Sequence, residues 1–282
     1  MHKRIETTVL EDFYVLVDYL SKQGKIKNIE KYKNNFPAFL VHARHIKTYD
    51  LIAPFCKNRK VLDIGCFIGY GETRIYTEAC SIIAIDSDSK AIKFAQENRK
   101  LPNVKFENLD AENLPYPDNW FDVIIASQII EHIHPNQIVH FLSNVKRLLN
   151  QDGLFFVITP NKNFRLLPWQ KPFNKEHYQE FTYKELLKIL KPSFSNVQIK
   201  GLRAVQWIEE IEKTRVYKTP VTSIKKTVRK VLKLLQLTKQ TSANLSFDNL
   251  FSKFSMNEFF LVDQKEQIKK SIELFGVCKK DN

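Results

Sequence analysis

No uncharged apolar run in the 282 residues approaches the roughly 18 to 20 residues that cross a bilayer as a helix, which excludes an integral helical membrane protein. The first twenty residues lack an unbroken apolar stretch as well. His2, Lys3, Arg4, Glu6, Glu11, Asp12 and Asp18 interrupt them, so no secretory leader is expected. Cysteine is scarce: Cys56, Cys66, Cys80 and Cys278 show neither Cys-x-x-Cys spacing nor the density of a disulfide framework. A reducing, cytoplasmic compartment without structural zinc is the expectation. No fixed-period repeat is present, which sets solenoids and propellers aside. With 43% apolar and 27% charged residues, the chain does not have the composition of a disordered or low-complexity segment.

What the chain has in excess is positive charge, formally +13, and much of it is local. Between Glu212 and Gln240 nine Lys or Arg face a single acid. Within this stretch residues 224–237 place Ile224, Val228, Val231, Leu232 and Leu235 on one helical face and Lys or Arg on the other. Three readings follow, in this order: a helix packed on the core with a solvated basic face, a helix resting on an anionic membrane surface at the inner face of the membrane, and a nucleic-acid docking surface.

Residues 8–55 read as helical, and from residue 60 the pattern changes to short β-rich runs separated by helical segments. The runs are Lys60–Ile64, Ser81–Ile85, Val104–Glu107, Val123–Ala126 and Leu154–Thr159, followed after a helix near Tyr183–Leu190 by Val197–Gly201 and finally Ile272–Cys278. Strands alternating with helices predict an α/β fold, a seven-stranded, mostly parallel sheet covered by helices on both faces. The organisation expected is a helical cap over 1–58, a core over 59–201, a basic and largely helical insertion over 202–268, and a last strand in 269–282 that completes the sheet.

Directly after the first predicted strand stands Asp63-Ile64-Gly65-Cys66-Phe67-Ile68-Gly69-Tyr70-Gly71. Glycines on a strand-to-helix turn let backbone approach a ligand closely, which points to a nucleotide-type cofactor. The spacing is Gly-x-x-x-Gly-x-Gly rather than the Gly-x-Gly-x-x-Gly of dinucleotide-binding folds, and an acid precedes the first glycine by two positions. A carboxylate there would repel a pyrophosphate but attract a cationic amino group. Further along, Ile83-Ala84-Ile85-Asp86 ends the second strand on an acid, whose two oxygens suit a vicinal diol, although a strand-ending Asp is also a common helix N-cap. Then come Asn108-Leu109-Asp110-Ala111-Glu112 and Trp120-Phe121-Asp122-Val123-Ile124-Ile125-Ala126-Ser127, with Ile130-Glu131-His132 behind it.

With these four elements in this order, the sequence resembles the class I S-adenosylmethionine-dependent methyltransferases over roughly residues 41–201 plus the final strand. The resemblance implies a Rossmann-like fold and S-adenosylmethionine as cofactor. It assigns cofactor contacts to Asp63, Gly65, Cys66, Gly69, Asp86, Ser87, Asp110, Ala111 and Ser127, with Asp86 on the ribose hydroxyls and Asp110 and Ala111 on the adenine. Phe67 departs from the family, in which a small residue is usual at this position. A positive φ there would cost about 1 kcal/mol, and the alternative is a ring turned inward as core. Upstream, His42-Ala43-Arg44-His45-Ile46-Lys47-Thr48-Tyr49 resembles the family's amino-terminal helix, on which His45 and Tyr49 could face the pocket.

Methyl transfer from a sulfonium needs alignment and, for a hydroxyl acceptor, removal of a proton. The candidate bases are His132 and His177, the latter in Phe173-Asn174-Lys175-Glu176-His177-Tyr178-Gln179-Glu180-Phe181. Two histidines such as His132 and His134 do not make a metal site, and no metal is expected. The elements that stack a flipped base after the fourth strand are absent. Ser127-Gln128-Ile129-Ile130-Glu131-His132 resembles small-molecule members instead, and residues 160–181 resemble methyltransferases of polysaccharide biosynthesis. The expected reaction is O-methylation of a sugar, glycan precursor or other small metabolite. The alternatives are an RNA-modifying enzyme docking through the basic insertion and a catalytically silent cofactor-binding homologue.

Overall fold

The computed structural model describes residues 2–166, 170–172, 174–216 and 246–280. The amphipathic basic segment 224–237 lies outside them, as does Phe173. The chain divides into two compact units, one formed by residues 1–47 and 203–260, the other by 48–202 and 261–282.

The second unit holds most of a single sheet. Its strands are β1 (Lys60–Ile64), β2 (Ser81–Asp86), β3 (Val104–Asn108), β4 (Phe121–Ser127), β5 (Leu149–Pro160), β6 (Asn196–Ala204) and β8 (Glu273–Lys279), and the eighth strand of the sheet is β7 (Phe259–Val262). The order is β3-β2-β1-β4-β5-β8-β6-β7. From β3 to β5 all neighbours are parallel, and β8 runs antiparallel between β5 and β6. The α/β class is as expected, with eight strands where seven were read. The additional one, β7, has four residues, Phe-Phe-Leu-Val, within a stretch read as largely helical; its run is too short for a period-2 pattern to register.

The central strands are buried on both faces because helices cover both. Leu62, Ile64, Ile124, Ala126, Phe155 and Val157 point to one face, where Phe141, Leu142 and Val145 of α6 (Ile138–Leu148) and Leu186 and Leu190 of α8 (Tyr183–Leu190) meet them. Their neighbours Val61, Val123, Ile125, Phe156 and Ile158 point to the other, against Tyr49 and Ile52 of α3 (Phe36–Ile52) and Ile92 and Ala95 of α5 (Ser89–Asn98). Period-2 alternation inside continuous apolar runs is the signature of a doubly covered strand. Caps start the helices where the sequence supplies them. Asp88 accepts from the Lys90 and Ala91 amides at the head of α5, and Thr182 with Glu185 forms a capping box on α8.

The described residues of the first unit are mainly helical, with α1 (His2–Lys22), α2 (Ile29–Lys33), the amino-terminal part of α3, α9 (Gln206–Val216) and a helix at Phe247–Lys253. Its core is aromatic. Phe36, Phe39, Phe247, Phe251 and Phe254 pack mostly edge-to-face at 5.2–6.3 Å between centroids, with the Trp207 ring stacked on Phe36. The buried Arg44 guanidinium donates to Glu212 at 2.9 Å. Among the described residues no helix is long and apolar enough to cross a membrane.

Candidate functional site

The strand order decides where a ligand can bind. The chain enters the sheet at β1, builds outward to β2 and β3, then returns to place β4 and β5 on the other side of β1. The connections leaving β1 and β4 therefore diverge, and a crevice opens at their carboxyl ends. The sequence motifs all fall at this edge: the glycine turn after β1, Asp86 at the end of β2, Asp110 and Ala111 after β3, Ser127 and His132 after β4, and His177 in the segment after β5.

At the first turn, Gly65 and Gly69 take φ of +83° and +75°, as their role requires. The Gly65 and Cys66 amides both donate to the Ile85 carbonyl, at 2.8 and 3.0 Å, clasping the turn to the end of β2. Gly71 serves differently. Its φ is −67°, and a Cβ there would sit 2.3 Å from the Tyr49 ring, so its bareness admits that ring. Phe67 does adopt positive φ, +50°, and is half-buried. Gln128, after β4, is at +61°. Among the described residues the other non-glycine positions with positive φ are Asn58, Asn119 and Asp152, types that tolerate it. The two costlier instances thus flank the crevice, where backbone strain concentrates at working sites.

Asp86 is not the helix cap that its position allowed; Asp88 caps α5. The Asp86 Oδ2 accepts the Phe67 amide and Oδ1 the Asp88 amide, each at 2.8 Å, which fixes the carboxylate at the lip of the turn. Its two oxygens are the acceptor geometry that suits a vicinal diol. Ser87 beside it is exposed. Asp110 is also exposed, its Oδ1 accepting the Glu112 amide at 2.9 Å in an Asx turn that presents half-buried Ala111. Cys66 is buried and Ser127 is 7% exposed. Asp63 is fully buried beneath the turn, with the Tyr49 hydroxyl donating to its Oδ2 at 2.9 Å. Of the two residues singled out on the amino-terminal helix, Tyr49 thus reaches the motif.

On the other side of the crevice the structure brings together residues 45 positions apart. The His132 and His177 rings pack edge-to-face with centroids 4.7 Å apart. His177 Nδ1 lies 3.1 Å from Oε1 of Glu180, a side chain with no exposed surface that also lies 3.6 Å from Arg165. A carboxylate only accepts, so in the neutral ring the contact favours the tautomer with its proton on Nδ1 and its lone pair on Nε2. Burial first, and then the neighbouring His177, lower the pKa of His132. His134 is exposed against Tyr178 and takes no part. Sequence reasoning missed Glu180, although its spacing of three from His177 was readable as a potential partner.

Glu131 completes this side. It is fully buried, with the Thr159 hydroxyl donating to one oxygen at 2.9 Å and the Tyr178 amide donating to its carbonyl at 3.0 Å. Burial pushes its carboxyl up to about 8. Unfolded, the group ionises above about 4.5, whereas folded it keeps its proton to about 8, so folding takes up a proton between those values. Stability lost to this group grows with pH across that window, by at most about 1.4 kcal/mol per pH unit. Glu131→Gln is expected to flatten the dependence, with thermal melts at either end of the window as the check. A carboxyl oxygen of Glu131 and one ring nitrogen each of His132 and His177 lie within 4.8 Å of one another.

The residues present fit a cofactor with a ribose diol, an adenine and a cationic tail. Two glycines open the turn, a fixed carboxylate stands at its lip, an Asx turn offers an acceptor and an amide, and Asp63 Oδ1 is buried without a donor. No group in this set would neutralise a pyrophosphate.

The comparisons with known proteins agree. A family model described as a methyltransferase domain matches residues 56–239. A probable S-adenosylmethionine-dependent methyltransferase of Mycobacterium tuberculosis is 34% identical over 160 residues, 56% of this chain and 57% of that protein. A ubiquinone biosynthesis O-methyltransferase of Pelagibacter ubique is 33% identical over 110 residues, 39% of this chain and 45% of that protein. The chain thus spans about half the length of the curated relatives it matches. Among solved structures, an Archaeoglobus fulgidus S-adenosylmethionine-dependent methyltransferase superposes with a TM-score of 0.51 at 20% identity, covering 84% of this chain and 94% of that one. The cyclase SpnF superposes at 0.54 with 16% identity over 85% and 81%, so the likeness in shape speaks for the fold alone. The acid before the glycine turn, the carboxylate closing β2 and the matched family model converge on one conclusion: this chain belongs to the class I S-adenosylmethionine-dependent methyltransferases, whose cofactor is S-adenosylmethionine.

Proposed function

We propose that the protein transfers a methyl group from S-adenosylmethionine to a hydroxyl of a sugar, glycan precursor or other small metabolite. The observation that carries the reading is the His177–Glu180 pair beside His132 at the edge of the crevice. When bound, S-adenosylmethionine supplies a methyl group on a cationic sulfur that departs without acid assistance. What the chain must add is a site for the proton leaving the acceptor. His177 Nε2 is that site. Glu180 holds the ring in the tautomer that accepts there, and favours the cation formed when it does. His132, whose pKa burial lowers, packs against that ring and stands as the second candidate base.

Asp86 would hold the ribose diol, and the Asp110–Ala111 turn the adenine. The relative named for O-methylation in ubiquinone biosynthesis supports a hydroxyl acceptor over a carbon or nitrogen one. The preference for sugars rests on the resemblance of residues 160–181. The test is methyl transfer from labelled S-adenosylmethionine to a panel of free sugars, nucleotide sugars, phenols and fatty acids. We expect label in a hydroxylated small molecule. Label in none of them, with cofactor still bound, would set the acceptor assignment aside.

A further inference from the structure

We propose that Glu72 is a positioning residue for the cofactor: in the ligand-free protein Glu72 and Asp63 hold one proton between them, and the arrival of a ligand's cationic amino-acid end drives that proton out. This rests on the S-adenosylmethionine reading above and adds to it a residue and a coupling.

Glu72 directly follows the last glycine of the turn and is the first residue of α4 (Glu72–Ile75). It has no exposed surface, and no N–H or O–H of another residue outside the Asp63 carboxyl donates to either of its oxygens. Asp63 Oδ1 is in the same condition, while Oδ2 is taken by the Tyr49 hydroxyl. The strongest side-chain interaction of Glu72 is with Asp63, carboxyl to carboxyl, with its own backbone N–H and the Arg99 charge acting the other way. Two ionised carboxylates repel, so a hydrogen bond between them requires a proton on one. Burial and this mutual contact hold Glu72 well above the usual carboxylate range, and burial raises Asp63 to about 6.

The groups facing the pair come from every element packed on it: Tyr49 from α3, Cys56 ahead of β1, Cys66 and Tyr70 from the turn, Asp86 from β2 and Arg99 after α5. Of these only Arg99 is cationic, and its Nε donates to the Ile68 carbonyl at 3.1 Å. Against Arg99 stand three carboxyls, so the buried cluster lacks compensating positive charge. A ligand cation near the turn would supply it through a medium that screens poorly. It would favour the doubly ionised pair and expel the shared proton without touching Glu72. A nonpolar residue at this position would serve packing alone, and would leave Asp63 without the partner that links it to pH.

Isothermal titration of S-adenosylmethionine into the whole protein, in two buffers of different ionisation enthalpy, reads the coupling as a proton count. Working slightly below neutral pH keeps the ligand's own ammonium charged throughout. The expected result is release of a substantial fraction of a proton, up to about one per cofactor, with affinity rising at most about tenfold per pH unit. Glu72→Gln, close to isosteric, is expected to bind with buffer-independent heat. Tyr49→Phe removes a donor from Asp63 and is expected to release more. Buffer-independent heat in the unmodified protein, or undiminished release in Glu72→Gln, would overturn the proposal, and the unmodified protein decides even if the variant folds poorly. Absence of any binding by the folded protein is a different result: it removes the cofactor reading, and this coupling with it.

Discussion

Replacing His177 with alanine is expected to lower kcat by about 10²- to 10⁴-fold, the usual contribution of a positioned general base, or about 3 to 5 kcal/mol of transition-state stabilisation. The cofactor should bind the variant as before, because His177 lies in the segment after β5, apart from the proposed cofactor contacts at the ends of β1 and β2 and after β3. Glu180→Gln sharpens the test. Its amide can donate to Nδ1 and so favours the tautomer whose proton sits on Nε2, where the reaction needs a lone pair. A comparable loss of kcat with little change in KM is expected, although the side chain's shape persists. His132→Ala should cost less, since that ring is partnered by the Glu176 backbone rather than by a buried carboxylate such as Glu180. Steady-state kinetics on the accepted substrate give all three values. Unchanged turnover in both histidine variants would mean that alignment alone drives the reaction.

The second large effect is expected at Asp86. Two hydrogen bonds accepted by the carboxylate from the ribose hydroxyls would carry on the order of 3 kcal/mol together, so Asp86→Ala should weaken S-adenosylmethionine binding by about 10²-fold. The structure adds a cost that the sequence did not reveal. The same carboxylate accepts the Phe67 and Asp88 amides, one of them from a residue at positive φ, so removing it also loosens the turn, by about 1 to 3 kcal/mol of stability. Asp86→Asn separates the two roles, because its single carbonyl oxygen can keep one of these bonds while the charge is lost. Calorimetric affinity together with thermal melts distinguishes them, and unchanged affinity in Asp86→Ala would count against placing the ribose here.

The strands β1, β2 and β4 were legible within a residue or two, because burial on both faces demands runs such as Val61-Leu62 and Val123-Ile124-Ile125-Ala126 that no surface segment tolerates. The motif residues were legible for a related reason. The glycine turn, Asp86 and the Asp110–Ala111 turn each depend on local backbone geometry, which a few adjacent residues dictate. Phe67 was readable as an anomaly, and its φ of +50° resolves which of its two readings holds.

The sequence by itself therefore determined the class of fold, the order of its strands along the chain and the family, all written in local pattern and spacing. Only the tertiary structure decided which charges meet. Nothing local joins Glu131 to Thr159, Tyr49 to Asp63, or His132 to His177. These pairs exist because β1, β4 and β5 lie side by side and α3 covers one face. The same packing withdraws water from Glu72, Asp63 and Glu131 and so sets their protonation, since the cost of a buried charge depends on everything around it and not on its neighbours in the chain.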